Sequence, residues 1–211
     1  MVNKIILSLL LIFSTTYLSA VSIYVPASYT TAEKETYEGL IRIPTDLFGK
    51  PLLQYMQDNI EFVNRKDEVT ILKANEIIQF RFDLEDETYL YYSFINQIKP
   101  KVFWSVEDRI FMQVVEQGKL TLLIGYNNKA AGTAYRDDTG TSGGSGTVAS
   151  KEYYLHKKGE ALKIVRRLSF RKYMRDYFKD CPELIEEITN KKLKIKDLPE
   201  IVMTYNLLKS Q

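Results

Sequence analysis

The chain reads as an α+β protein: an antiparallel curved sheet or incomplete β-barrel followed by three short C-terminal helices. Two observations carry that expectation. From residue 60 to residue 126, short runs rich in Ile, Val, Phe and Tyr follow one another across polar turns, with no helical crossover between them, which is the pattern of antiparallel pairing. Near the C-terminus the apolar period changes from two to 3.6. Phe170, Tyr173, Met174, Tyr177 and Phe178 fall at i, i+3, i+4, i+7 and i+8, one helical stripe facing a core.

In chain order, the first twenty residues form a separate object. Lys4 supplies a positive start, residues 5–13 an apolar run broken only by Ser8, and residues 15–20 a small and polar exit. Such an order describes a cleavable signal peptide. The apolar run is short for a membrane span, and cleavage is expected near Ala20 or Ser22. No Cys follows to take a lipid anchor. The expected address is periplasmic or secreted, with no transmembrane segment once the leader is gone. Residues 21–36, with Pro26 and a Ser/Thr/Ala cluster, read as a flexible N-terminal arm carrying at most an edge strand at 23–25. Residues 37–211 read as a single domain.

Within that domain, 37–43 is a first clear strand, and 51–56 is either a short helix or an extended piece. Strands are expected at 60–63, 69–72, 77–84, 89–95, 102–106, 109–116 and 120–126. Aromatic residues cluster in 80–82 and 89–92, as half-buried strands prefer. Glu85, Asp86 and Glu87 form a charged turn. Residues 127–150 hold five glycines among Ser and Thr and read as a flexible loop inside the domain, since strand text resumes at Glu152. A last hairpin joins 152–157 to 161–165. The helical tail spans 168–208. Ser169 is the expected N-cap of its first helix. Pro182 stops that helix and opens the second, whose apolar face is Leu184, Ile185 and Ile188. Asp197 is the expected cap of the third, with a stripe of Ile201, Val202, Tyr205 and Leu208.

This C-terminal text also carries a resemblance. YYL at 153–155, FRKxMxxYFxDCPEL at 170–184, IxNK at 188–191 and IVxxYN at 201–206 resemble a family of small uncharacterised secreted proteins of Bacteroidota-type bacteria. The resemblance implies export, a β-rich front and a helical end. It brings no activity and no site residues.

Charge is unevenly distributed. Residues 151–211 carry 15 Lys/Arg against 9 Asp/Glu, net +6, and residues 21–150 carry 13 against 18, net −5. A basic end of this kind can dock on an anionic surface or an acidic partner, or simply complement the acidic remainder. Arg166, Arg167, Arg171, Lys172 and Arg175 are the candidate interaction residues. No nucleic-acid motif accompanies them, and none is expected in an exported chain.

Catalytic constellations are sparse. Cys181 is the single Cys, so an internal disulfide is excluded; it reads as a small buried residue at a helix corner, with a reactive thiol as the alternative. His156 is the single His. A Cys181–His156 pair is the one nucleophilic arrangement available, against an ordinary strand histidine. One His and one Cys exclude His-rich and thiolate zinc sites. Asp137 and Asp138 form an acid pair in the Gly-rich loop that could take Ca²⁺ through oxygen, although a solvated loop tip accounts for them. Neither a phosphate-binding loop, a dinucleotide fingerprint nor a nucleophile elbow is present, and no cofactor is expected. The reading favours an exported, non-enzymatic binding or interaction module with an unknown envelope or extracellular partner. Its alternatives are a small apolar-ligand carrier and an enzyme of unrecognised type using Cys181 or carboxylates.

Overall fold

The computed structural model describes residues 22–97, 108–129, 148–190 and 193–210. The expected leader, the strand at 102–106 and the Asp137–Asp138 pair lie outside these residues. Ten strands, β1 (Ser22–Thr31), β2 (Thr36–Pro44), β3 (Asn59–Val63), β4 (Val69–Lys73), β5 (Ile77–Leu84), β6 (Glu87–Ile95), β7 (Arg109–Glu116), β8 (Leu120–Lys129), β9 (Val148–Lys157) and β10 (Lys163–Ile164), form one open antiparallel sheet. Its order runs β10-β9-β8-β7-β6-β5-β1-β2-β3-β4. Three helices follow: α1 (Phe170–Tyr177), α2 (Pro182–Asn190) and α3 (Leu198–Ser210).

The curvature follows from one short connection. β4 ends at Lys73 and β5 begins at Ile77, yet β1, β2 and β3 lie between them in the sheet. Four residue steps reach at most about 14 Å, whereas four strand spacings in a flat sheet measure about 19 Å. The sheet therefore rolls, and its concave face becomes the first core. Ile41, Ile43, Ile60, Phe62, Phe80, Phe82, Tyr91 and Phe111 are buried there. Phe80 stacks on Tyr91 at 4.6 Å and meets Phe111 edge-on at 4.8 Å, while Phe82 stacks on Tyr89 at 5.0 Å. Gly39 is required where the curl is tight, because a Cβ there would lie 2.6 Å from the Phe62 ring.

A 3-10 turn, Leu53–Met56, settles the ambiguous 51–56 stretch. Gln57, just after it, ties the β2–β3 connection across the trough. Its carbonyl accepts the Phe111 N–H at 2.7 Å, and its side-chain amide exchanges two bonds with the backbone of Tyr126, at 2.8 and 2.6 Å.

The expected N-terminal arm is corrected. Residues 22–31 are β1, paired with β2 along its length and with β5 from Ala27 onward. A strand needs apolar side chains only at alternate positions, and Ile23, Val25, Ala27 and Tyr29 supply them on the concave face. Pro26 is tolerated because β1 has a partner on only one side at that point. The expected 127–150 loop is also narrower at its base, since β8 and β9 pair as far as Lys129 and Val148. The last hairpin is reduced to two residues in β10.

The second core lies where the helices cover β8 and β9. Leu120, Leu122 and Leu155 meet Phe170, Met174, Phe178, Leu184, Ile188, Ile201 and Val202. The helical stripes read from the sequence are the buried ones. Two caps differ from expectation. Ser169 adopts a left-handed conformation (φ 60°) and its hydroxyl makes no capping bond. Asp197 accepts the Lys194 N–H at 2.8 Å within a 3-10 turn, Ile195–Asp197, that runs straight into α3. It thus sits inside helical backbone rather than ahead of it. A third, smaller cluster of Ile110, Met112, Leu123 and Tyr154 occupies the opposite sheet face.

Candidate anion-docking site

The basic segment is built between two buried anchors. Val165 is buried and donates its N–H to the Tyr153 carbonyl at 2.8 Å, ending the sheet. Phe170 is buried at the start of α1. Residues 166–169 bridge these anchors and are all exposed. Left-handed backbone at a non-glycine residue costs about 1 kcal/mol or more, and Ser169 accepts that cost to turn the chain from the sheet edge into the helix. The turn leaves Leu168 88% exposed.

Helix periodicity supplies the other half of the site. With Phe170 and Met174 facing the core, Arg171, Lys172 and Arg175 face solvent. All five candidate cations are therefore exposed on one short segment around Leu168. Between Lys163 and Lys179 the chain holds seven Lys/Arg and one acid, Asp176. None of the five makes an ion pair among the described residues, whereas elsewhere Arg42 pairs with Glu61 at 2.8 Å and Arg65 with Glu38 at 2.6 Å. No acidic residue occupies the first turn of α1, so the positive end of its dipole adds to the field instead of being offset. Arg166 stands close enough to Tyr173 to act against the rise in its phenol pKa that burial causes. Five exposed cations, unpaired among the described residues, form a surface suited to an anionic partner, and the exposed Leu168 lies among them in the sequence.

The neighbouring seam uses cations differently. Lys157 lies over the rings of Tyr177 and Tyr205, at 5.3 and 5.1 Å, and reaches Asp180 at 3.6 Å. Lys209 reaches the same carboxylate at 3.5 Å, and the Tyr205 hydroxyl donates to it at 2.8 Å. Burial alone would raise the pKa of Asp180, but the Tyr205 hydroxyl and the two ammonium groups outweigh it and hold the carboxyl below its ordinary range. Burial pushes the Tyr177 phenol up, and among the described residues its hydroxyl has no hydrogen-bond partner. The seam is a clamp between sheet and helices, its acid Asp180 facing two ammonium groups. Sequence spacing could not join Lys157, Asp180 and Lys209, since they lie on three separate segments.

The remaining candidates are dispersed. Cys181 is 2% exposed among helix and sheet side chains, its thiol 3.9 Å from the Glu183 carboxylate. On β9, Leu155 faces the helices that enclose Cys181, while Tyr154 faces the opposite cluster. By strand alternation His156 shares the Tyr154 side, where its ring meets Phe94 edge-on at 5.1 Å. The thiol and the imidazole are thus separated by the sheet, and burial lowers the pKa of His156. Glu85 turns the β5–β6 hairpin with positive φ. Among the described residues no three His, Cys, Asp or Glu side chains converge as a metal set, and no helix is long and apolar enough to cross a membrane.

The chain matches no family model, no curated protein and no solved structure.

Proposed function

We propose that this protein is an exported interaction module that docks on an anionic partner in the cell envelope through Arg166, Arg167, Arg171, Lys172 and Arg175. The observation behind the reading is the cluster itself: five exposed cations, unpaired among the described residues and held by Val165 and Phe170 around an outward Leu168. Surface charge not used for folding is free to act on a partner. Export rests on the sequence before residue 21 and on the resemblance of the C-terminal text. The alternative of a thiol enzyme draws no support from a buried Cys181 with His156 across the sheet. A carrier draws none from a trough filled by Phe80, Phe82, Tyr91 and Phe111.

Retention of the purified protein on its own envelope fraction, followed against salt, tests the proposal. Wild type should be retained at low salt and lose about tenfold or more in affinity when the Debye length contracts to about 3 Å in molar salt. Replacing all five cations by Gln should abolish the salt-sensitive part and leave the thermal midpoint nearly unchanged, because every side chain involved is exposed. Equal retention of the variant and wild type would refute the assignment.

A further inference from the structure

The helices carry a second charged surface, opposite in sign to the basic segment. From Asp180 to Asn190 the chain holds four acids and no Lys or Arg. Glu183, Glu186, Glu187 and Asn190 fall at i, i+3, i+4 and i+7, one stripe along α2, while Leu184 and Ile188 enter the core. The stripe lines a groove of about 420 Å³ whose other wall is Thr204 and Leu208 of α3. Glu183 and Glu186 are exposed, and neither makes an ion pair among the described residues. Leu208 makes the α3 wall partly apolar, and Leu207 beside it is 61% exposed. The groove is thus acidic along α2 and apolar along the end of α3.

The same molecule presents the complement of this groove. Lys172 and Arg175 lie three residues apart on α1, a rise of about 4.5 Å, and Glu183 and Glu186 repeat that spacing on α2. Leu168, 88% exposed, lies four residues before Lys172, as Leu207 and Leu208 flank the acids. Charge and apolar surface therefore match in kind. They do not meet within one copy. α1 packs beside α2 and α2 beside α3, and all three bury their apolar faces in one core, so the two charged faces both turn outward. Adjacent faces of opposite charge are self-complementary about a two-fold axis. When α1 of one copy lies on α2 of another, the same operation forms the reverse contact, and the pair closes.

We propose that the α2–α3 groove receives the basic α1 face of a second copy of this chain, closing a two-fold dimer in which Lys172 and Arg175 stand against Glu183 and Glu186. The inference rests on the reading of the basic segment as a docking surface, but not on an envelope partner. It gives that segment a competing occupant, since a copy held in the dimer has its cations covered and the envelope must displace its partner to reach them.

Sedimentation velocity of the purified protein tests the contact, with envelope retention as the second readout. Wild type should form dimers at low salt and return to monomers in molar salt, where the Debye length is about 3 Å. Glu183→Lys with Glu186→Lys, and separately Lys172→Glu with Arg175→Glu, should each weaken dimerisation about tenfold or more, because like charges then face each other. An equimolar mixture of the two variants should dimerise again, since every basic face then meets an acidic one. All four side chains are exposed, so both variants should melt near wild type, and the wild-type salt response stands without them. A wild type that stays monomeric at low salt would overturn the proposal and leave the groove to a cationic partner of another kind. Dimers that persist in molar salt or in the Glu183→Lys, Glu186→Lys variant would also overturn it, as would a mixture that stays monomeric. The two readings fail separately. A salt-sensitive dimer without envelope retention refutes the envelope partner alone, and retention without a dimer refutes this contact alone.

Discussion

The two main cores are sealed in different ways. Along β1–β6 the sheet covers itself: strands roll, aromatic rings stack across the trough, and Gln57 ties one wall to the other. Along β8 and β9 the sheet is covered by α1, α2 and α3. A rolled wall is joined to its neighbours by continuous backbone ladders. A helical cover meets the sheet only through side chains, so it needs specific polar fasteners. Two are present. Asn206 of α3 accepts the Leu120 N–H at 2.8 Å and donates to the Leu120 carbonyl at 2.9 Å, and the Lys157–Asp180–Tyr205–Lys209 clamp closes the seam.

The strongest way to break this comparison is to empty each core in turn. Phe80→Ala and Phe178→Ala remove side chains of the same size, each at most 1% exposed, and each should cost about 3–5 kcal/mol in urea unfolding. They should differ in what opens. Hydrogen exchange in Phe178→Ala should rise in α1–α3 with β1–β6 still protected, whereas Phe80→Ala should lose protection across the whole sheet. Identical exchange patterns would mean that the cores form one cooperative unit.

A smaller effect is expected at the fastener. Asn206→Ala strands both backbone groups of Leu120 beneath α3 and should destabilise by about 2 kcal/mol. Faster exchange should be confined to the helices and the start of β8. An unchanged melting curve would show that the helices are held by apolar contact alone.

The smallest effect is electrostatic. Because the Asp180 pKa is lowered in the fold, its contribution is present above the unfolded carboxylate pKa and is lost as pH falls through the folded value. The side chain is 46% exposed, so the gain is about 0.5–1 kcal/mol. Urea midpoints at about pH 6 and about pH 3 should show this loss in wild type and not in Asp180→Asn. The same acid-dependent loss in both proteins would remove Asp180 from the clamp.

Much of this architecture is legible because it repeats locally. The alternation in 77–84 and 89–95 becomes β5 and β6, and the stripe from Phe170 to Phe178 becomes the buried face of α1. Arg166, Arg167, Arg171, Lys172 and Arg175 are visible as a basic run, and their exposure follows from the same stripe. Residues 22–31 read wrongly as an arm because Pro26 and the Ser/Thr cluster carry local turn signals, and only pairing with β2 and β5 overrides them. The groove between α2 and α3 escapes a sequence reading because Glu183 and Glu186 look like any solvated helix face until Thr204 and Leu208 stand beside them.

The sequence by itself thus determined the antiparallel α+β class, the helical faces and the site of surplus positive charge, since each depends on period or composition over a few neighbouring residues. Only the tertiary structure decided the rolling of the sheet, the meeting of Lys157 with Asp180 and Lys209, the separation of Cys181 from His156, and the groove between α2 and α3. Each of these depends on which distant segments meet. That is settled by covering the most apolar surface while pairing every strand, a condition on the whole chain that no short window contains.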